Sequence, residues 1–193
     1  MQNYDMNNLN NEYNDEIFKE EKIDGKIYLM ATPCNEHREV QFNIANIFNT
    51  YFRQNNKRCL SIFDAKLDMN KNNYFEPDVM VFCYETSKKI PLIIIEVLSK
   101  STRNIDLGAK MKKYAKLGIK EYWIITWESM SIDIYILTDE KKYAFYKSYA
   151  YFAIEDLNHS LSENEKKEVV TEFSPVTIPE LKILLEDVFY FVK

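Results

Sequence analysis

Two acidic residues in strongly apolar surroundings give the clearest chemical signal in this chain. Asp78 opens the β-prone run Val79–Phe82, and Glu96 interrupts the apolar run Leu92–Leu98. An ionised carboxylate within an apolar strand is costly unless it is paired, protonated or bound to a cation. The link between the two runs is short, so an antiparallel hairpin centred near Ser87 would place residue 78 opposite residue 96 on one sheet face.

Two opposed carboxylates repel each other, and a hard divalent cation such as Mg²⁺ or Mn²⁺ is the usual remedy. We therefore expect the carboxyl groups of Asp78 and Glu96 to lie within about 5 Å of each other as ligands of one ion. The alternative is an Asp78 in solvent on an edge strand and a Glu96 paired with a lysine. The residues alone leave both interpretations open.

Lys110 is the one lysine that helical geometry places among apolar residues. The sequence predicts a helix from about Ile105 to Leu117, ended by Gly118. At about 100° per residue, Lys110 falls within the apolar stripe, with Asp106 one turn earlier at its edge. An ammonium beside a metal-binding carboxylate pair can stabilise the charged transition state of phosphodiester hydrolysis. Alternatively, Lys110 extends out of the core or pairs with Asp106.

Basic residues are concentrated around this helix, although the chain as a whole carries a net charge of -5. The acidic balance excludes coating of nucleic acid through bulk positive charge. Residues 100–120 nevertheless contain seven basic side chains and one acidic one. Lys100, Arg103 and Lys113 are therefore expected to contact a phosphate backbone. The alternative is a solvated helix face.

Glu36 and His37 open the first long helix and are candidates to support the site. His37 shares a face with Val40 and Ile44, so a hydrogen-bonded structural histidine is the alternative reading. Glu36 could add a third oxygen near the metal. Ser99 and Ser101 have no plausible triad partner, which argues against a serine hydrolase.

The alternation of helical and β-prone segments predicts one mixed α/β or α+β domain over residues 15–193, after a flexible segment 1–14. Asp24-Gly25 is a two-residue hairpin turn signal. Helices are predicted over 35–52, 105–117 and 179–192. Strands are predicted near 59–69, 78–84, 92–98, 122–127, 132–137 and 143–149.

The predicted C-terminal helix has more apolar surface than one packing face needs. Its stripe comprises Leu181, Leu184, Leu185, Val188 and Val192, followed by the run Phe189–Phe191. We therefore expect a homodimer contact there, with burial against the sheet of the same chain as the alternative.

Cysteine usage and hydropathy bear on the cellular compartment. Cys34, Cys59 and Cys83 form no paired spacing, so a structural zinc site is not expected. The thiols are expected to be reduced, as in a cytoplasmic protein. No apolar stretch approaches the roughly 18 residues that a membrane span needs.

The order of these residues resembles a known family. The motifs are Glu76-Pro77-Asp78-Val79, then Ile95-Glu96-Val97-Leu98-Ser99-Lys100-Ser101-Thr102, then Asp106, Lys110, Tyr114, Gly118 and Glu121-Tyr122-Trp123. This pattern is similar to the Uma family of restriction-endonuclease-like proteins in the PD-(D/E)xK superfamily. The similarity extends from about residue 20 to 190.

The resemblance implies a central mixed sheet flanked by helices, with metal ligands at Asp78 and Glu96. The lysine of the (D/E)xK motif would stand at position 98, where this chain has Leu98. The family's lysine on the following helix matches Lys110, with Asp106 and Tyr114 as supporting residues. The expected function is that of an Mg²⁺-dependent endonuclease acting on double-stranded DNA. The alternative is a non-catalytic DNA- or protein-binding module, and RNA is not distinguished from DNA.

Overall fold

The structure of the chain is a computed structural model. It describes residues 19–30, 32–84, 90–99, 102–153 and 162–192. The N-terminal segment 1–14, which was expected to be flexible, lies outside the described residues. So does Lys100, one of the expected nucleic-acid contacts.

The described elements comprise twelve strands and four helices. The strands are β1 Lys19–Ile23, β2 Lys26–Met30, β3 Cys59–Phe63, β4 Leu67–Asn70, β5 Asn73–Phe75, β6 Val79–Cys83, β7 Ile93–Val97, β8 Glu121–Thr126, β9 Ser131–Leu137, β10 Tyr143–Ala150, β11 Glu172–Phe173 and β12 Ile183–Leu184. The helices are α1 Asn35–Gln54, α2 (Arg103–Ile105, a π-helical turn Asp106–Lys110 and Met111–Leu117), α3 Glu163–Glu168 and α4 Leu185–Val188.

The strands form a central mixed sheet and two smaller antiparallel sheets. The central sheet has six strands in the order β10-β9-β8-β7-β6-β3. Its β7 and β8 are parallel and are joined through α2, while the other neighbours are antiparallel. A four-stranded sheet has the order β2-β1-β5-β4, and β11 pairs with β12. The expected α+β class, a central mixed sheet flanked by helices, is confirmed.

Local sequence accounts for the two elements that precede the site. The β1–β2 turn has positive φ at Asp24 and Gly25, 50° and 84°, which fits a primed two-residue hairpin. Helix α1 begins at Asn35 as predicted, although Cys34 is the capping residue instead of Asn35. Its buried face includes His37, Val40 and Ile44, spaced three and four residues apart.

Apolar clusters cover both faces of the central sheet. On one face, α1 and the C-terminal segment pack on alternate residues of β6, β7 and β8, such as Val79, Ile95 and Trp123. On the other, α2 and the four-stranded sheet pack on the intervening residues, such as Met80 and Ile94. Glu96 is one of those intervening residues, so its side chain faces α2.

The predicted helix over residues 179–192 is wrong over most of its length, because only Leu185–Val188 is helical. Burial alternates from Leu181 to Leu185 with the period of a strand, and Ile183 pairs with Phe173. Leu181 and Leu185, four residues apart, fit this alternation as well as a helix, whereas Leu184 lies on the exposed face. Leu181, Leu185, Val188 and Val192 pack in the core of the same chain. Burial within the chain, the stated alternative, is the correct reading for these four.

Two further expectations differ from the structure. The predicted strand 59–69 divides into β3 and β4, which belong to different sheets, at Asp64 with φ of 48°. Cys59 and Cys83 were expected to be reduced but form a disulfide, because the antiparallel register of β3 and β6 places them directly opposite each other. Cys34 is free. The cytoplasmic location, which rested on reduced thiols, stays a prediction.

No helix within the described residues is both long enough and apolar enough to cross a bilayer.

Candidate active site

The hairpin of β6 and β7 has the register that the sequence predicts. Val79 lies opposite Ile95, and Met80 lies opposite Ile94. Extending this antiparallel pairing by one residue places Asp78 opposite Glu96, at the end of the central sheet. Both side chains are buried, and both line the same pocket. The expectation that their carboxyl groups approach within about 5 Å stays a prediction.

The carboxylate of Asp78 is held from three directions. Its Oδ1 lies 3.0 Å from Nζ of Lys19, and its Oδ2 accepts a hydrogen bond of 2.8 Å from the backbone N–H of Val97. Nε2 of His37 lies 3.2 Å from the same Oδ2. Gln41 on α1 donates a 2.9 Å hydrogen bond to the backbone carbonyl of Asp78. The acid is therefore rigidly positioned and is not exposed on an edge strand.

Lys110 lies at the centre of a buried ionic cluster. Its side chain enters from the π-helical turn of α2, which also carries Asp106, and its residue surface is 3% exposed. Nζ of Lys110 lies 2.8 Å from Glu21, 3.2 Å from Glu96 and 3.0 Å from Asp106. The inward placement derived from helical periodicity is thus observed, and so is the pairing with Asp106. π-Helical turns are rare and are frequent at functional sites.

Burial and charge shift the pKa values of this cluster in opposite directions. Burial disfavours ionised Asp78, but Lys19 and His37 outweigh it and lower its pKa. Burial raises the pKa of Glu96 to about 8, and the nearby carboxylates Asp106 and Asp78 add to the effect of burial against the opposing charge of Lys110. Burial also disfavours the charged form of Lys110, but its three carboxylate partners raise its pKa well above the usual value. Lys110 is therefore an ammonium at neutral pH.

Comparison with known proteins assigns the chain to a family. Residues 5–165 match the family model Uma2, described as "Putative restriction endonuclease". The chain belongs to the Uma2 family. An uncharacterised protein from Synechocystis sp. is 29% identical over 130 residues, which are 63% of this chain and 68% of that protein. The crystal structure of a "putative nuclease belonging to DUF820" from Anabaena variabilis shares the fold, with a TM-score of 0.64, 17% identity, and coverage of 90% and 91% of the two chains.

Three of the four expected supporting residues are in the cluster of this Uma2 chain. His37 contacts Asp78, Asp106 contacts Lys110, and the hydroxyl of Tyr114 donates a 2.9 Å hydrogen bond to Glu96. Glu36, on the first turn of α1, is not among the residues that line the pocket. The position of the missing motif lysine, Leu98, is buried in the apolar cluster beneath α2.

Two of the expected nucleic-acid contacts, Arg103 and Lys113, lie within the described residues. Arg103 is exposed at the start of α2, and Lys113 pairs with Asp24 in the β1–β2 turn. Neither residue is among those that line the pocket. Their contact with a phosphate backbone stays a prediction.

Two residues of β1 belong to the cluster but were missed in the sequence. Lys19 contacts Asp78, and Glu21 contacts Lys110 and accepts a 3.0 Å hydrogen bond from the backbone N–H of Glu76. Glu21 is fully buried. The available signal was its alternation with Ile23, which puts a carboxylate on the apolar face of the hairpin. The contact with the cluster is long-range, because β1 belongs to another sheet.

The donor chemistry of this Uma2 pocket fits a hard divalent cation. Four carboxylates, those of Glu21, Asp78, Glu96 and Asp106, face the ammonium groups of Lys19 and Lys110. Oε2 of Glu21 is buried without a hydrogen-bond partner among the described residues. The described residues contain no group of three or more His, Cys, Asp or Glu side chains arranged to hold a metal ion. Mg²⁺ in proteins usually keeps several water ligands and binds only one or two carboxylates. The carboxylates of Asp78 and Glu96 would therefore be enough protein ligands for this ion.

Replacing Glu96 with glutamine is expected to make the protein more stable at alkaline pH in the presence of a chelator. Folding raises the pKa of the Glu96 carboxyl to about 8. The protonated carboxyl therefore stabilises the fold fully at pH values below the pKa of the unfolded chain, and this stabilisation is lost as the pH rises through 8. Glutamine imitates the protonated acid at every pH. The melting temperature of the wild type should fall between pH 5.5 and pH 8.5 (roughly the window set by the two pKa values), while that of Glu96→Gln stays level. Parallel pH profiles of the two proteins would contradict the assigned shift.

Proposed function

We propose that this chain is an Mg²⁺- or Mn²⁺-dependent endonuclease that hydrolyses phosphodiester bonds in DNA. Membership of a family of nucleases supports hydrolysis of nucleic acid. The observation that carries the finer proposal is the placement of Asp78, Glu96 and the ammonium of Lys110 around one pocket. Opposed carboxylates with an adjacent fixed cation are suited to the charge that develops on a phosphate during hydrolysis.

The site residues expected from the sequence take three kinds of proposed role. Asp78 and Glu96 would hold the metal ion. When bound, the ion would neutralise these two acids and lower the pKa of a coordinated water. Lys110 acts as an electrostatic stabiliser and not as the base, because its raised pKa keeps it protonated. His37, Asp106 and Tyr114 position these groups through their contacts with Asp78, Lys110 and Glu96.

Positive charge for the substrate backbone would come from inside and outside the pocket. Lys19 lines the pocket beside Asp78 and offers a second ammonium to a phosphate. Arg103 and Lys113 lie on or near α2 and would add salt-dependent contacts, together with Lys100. From the sequence we expect double-stranded DNA as the substrate. The lining of the pocket bears on whether this DNA is paired or single-stranded.

A non-catalytic DNA- or protein-binding module is the second candidate function. Two observations favour it. Leu98 occupies the motif position of the lysine and is buried in the core. In addition, Lys110 is fully engaged by three carboxylates, as a purely structural lysine would be.

Incubation with supercoiled plasmid separates the two candidates. An endonuclease converts the plasmid into nicked and linear forms when Mg²⁺ or Mn²⁺ is present and leaves it intact with a chelator. Asp78→Ala is the inactive control. A non-catalytic module leaves the plasmid intact under every ionic condition, and it retards the plasmid on a gel only if it binds DNA.

A homodimer remains a prediction of this account, with a changed structural basis. The predicted stripe is largely internal, but Tyr190 and Phe191 at the end of the chain are 61% and 70% exposed, and their rings contact each other. Burying such aromatics between two copies would stabilise a dimer. Light scattering at micromolar concentration should give twice the 23.1 kDa chain mass. Phe191→Ser should shift the mass toward the monomer, and a monomeric wild type removes the prediction.

A further inference from the structure

The pocket above the ionic cluster has an apolar wall that the proposed hydrolysis does not use. Its volume is about 490 Å³, within the range of cavities that enclose small molecules. Charged side chains of the cluster form one part of the lining. Met30, Pro33, Val97 and Trp127 also line the cavity and add its apolar surface.

Trp127 is the large aromatic residue of this wall. It begins the turn between β8 and β9, where its carbonyl accepts a 3.1 Å hydrogen bond from the N–H of Met130. The indole packs against the core cluster on the α1 side but remains partly exposed. A ring anchored in this way offers an aromatic surface at little cost in side-chain entropy.

The backbone of a regular duplex presents sugars and charged phosphates, and its bases are stacked and paired inside. Such a backbone has no flat apolar group that could pack against the wall beside Trp127. An unpaired nucleotide has such a group, because its base can stack on an aromatic ring while its phosphate lies beside the ammonium group of Lys19, which lines the same pocket. The combination of a charged floor and an aromatic wall in one cavity therefore matches a single nucleotide with an exposed base.

We propose that Trp127 stacks on the base of an unpaired nucleotide next to the bond to be cleaved, so that the preferred substrate is single-stranded DNA. This inference rests on the proposed nuclease function and specifies its substrate class. Duplex DNA then has to be unpaired locally before it can occupy the pocket, which weakens its binding relative to a single strand.

Tryptophan fluorescence reports on this contact directly. The chain has two tryptophans, and Trp123 is fully buried in the core. Stacking should therefore quench the emission of Trp127 when a single-stranded DNA oligonucleotide is added. The titration uses Asp78→Ala protein in Mg²⁺ buffer, so that the DNA stays intact, and a blunt duplex of the same sequence serves as the second probe.

Substitutions at Trp127 in the same Asp78→Ala protein give the expected sizes. Trp127→Ala should weaken binding of the single strand by about 5- to 100-fold, the usual effect of losing one aromatic stacking partner. Trp127→Tyr keeps an aromatic face and should recover most of the affinity. Phe145→Ala is the matched control, because Phe145 is an exposed aromatic on β10 that does not line the pocket, and it should bind like the parent.

The outcomes separate this inference from the proposed catalysis. Equal affinity for single strand and duplex, or unchanged single-strand affinity in Trp127→Ala, overturns the assignment of Trp127, even if the wild-type chain cuts DNA. Quenching of the parent protein by the single strand supports it when Trp127→Ala also binds a dye-labelled single strand more weakly, as measured by the anisotropy of the dye. If the wild type shows that quenching but cuts no DNA in Mg²⁺, the catalytic proposal fails and the binding inference stands.

Discussion

Lys110→Met is expected to abolish DNA cleavage and to lower the free energy of unfolding by about 3–5 kcal/mol. The substitution removes the ammonium that three buried carboxylates share. Without it, Glu21, Glu96 and Asp106 face one another with no central cation. A lysine that served the substrate alone could be removed without such a loss, so activity and stability should fall together.

Urea denaturation and plasmid cleavage measure the two effects separately. The loss of stability should shrink as the pH falls, because protonation of Glu96, whose pKa is raised by burial, removes its repulsion with the neighbouring carboxylates. Lys110→Arg should keep a little activity, limited by its larger planar head. Lys112→Ala is the matched control on the exposed side of α2 and should retain wild-type stability and cleavage. Wild-type cleavage by Lys110→Met would refute the catalytic assignment of Lys110.

Asp78→Asn is expected to remove the stabilisation that Mg²⁺ gives to the wild type. A ligand that binds only the folded chain raises its melting temperature in proportion to the logarithm of ligand concentration. In the wild type, Mg²⁺ would enter beside the opposed acids Asp78 and Glu96. Asparagine preserves the shape of Asp78 but offers the ion no negative charge.

Thermal melts over an Mg²⁺ series test this expectation without reference to activity. The melting temperature of the wild type should rise with concentration, and that of Asp78→Asn should stay constant. A neutral salt at equal ionic strength controls for screening of surface charges. A similar rise in both proteins would show that the cation binds elsewhere.

Local sequence patterns were sufficient to predict the pairing of Asp78 with Glu96 and the inward placement of Lys110. In an antiparallel hairpin, the residue numbers of every opposed pair have the same sum. The short link between β6 and β7 determined this sum and therefore the pairing of residues 78 and 96. Helical periodicity was enough to place Lys110 inside the protein, although the π-helical turn at Asp106–Lys110 was not predicted. Both signals act over fewer than roughly twenty residues, where backbone geometry dominates.

The features that sequence analysis missed depend on contacts between distant segments. Lys19 and Glu21 reach the cluster from a separate sheet, and no local pattern gives the packing of one sheet on another. The disulfide joins Cys59 and Cys83 across 24 residues through the β3–β6 register. At the C-terminus, the leucine spacing was compatible with both a helix and a strand, and only burial at Leu181–Leu185 distinguishes them.

The most direct test of the central claim is the rate of supercoiled plasmid cleavage in Mg²⁺ by wild-type protein and by Asp78→Ala, each purified identically and confirmed to be folded. We expect cleavage by the wild type that is abolished by a chelator, restored by excess Mg²⁺ and absent in Asp78→Ala. Cleavage at the same rate by Asp78→Ala would contradict this expectation. So would a folded wild type that cuts neither the plasmid nor a circular single-stranded DNA in Mg²⁺ and in Mn²⁺.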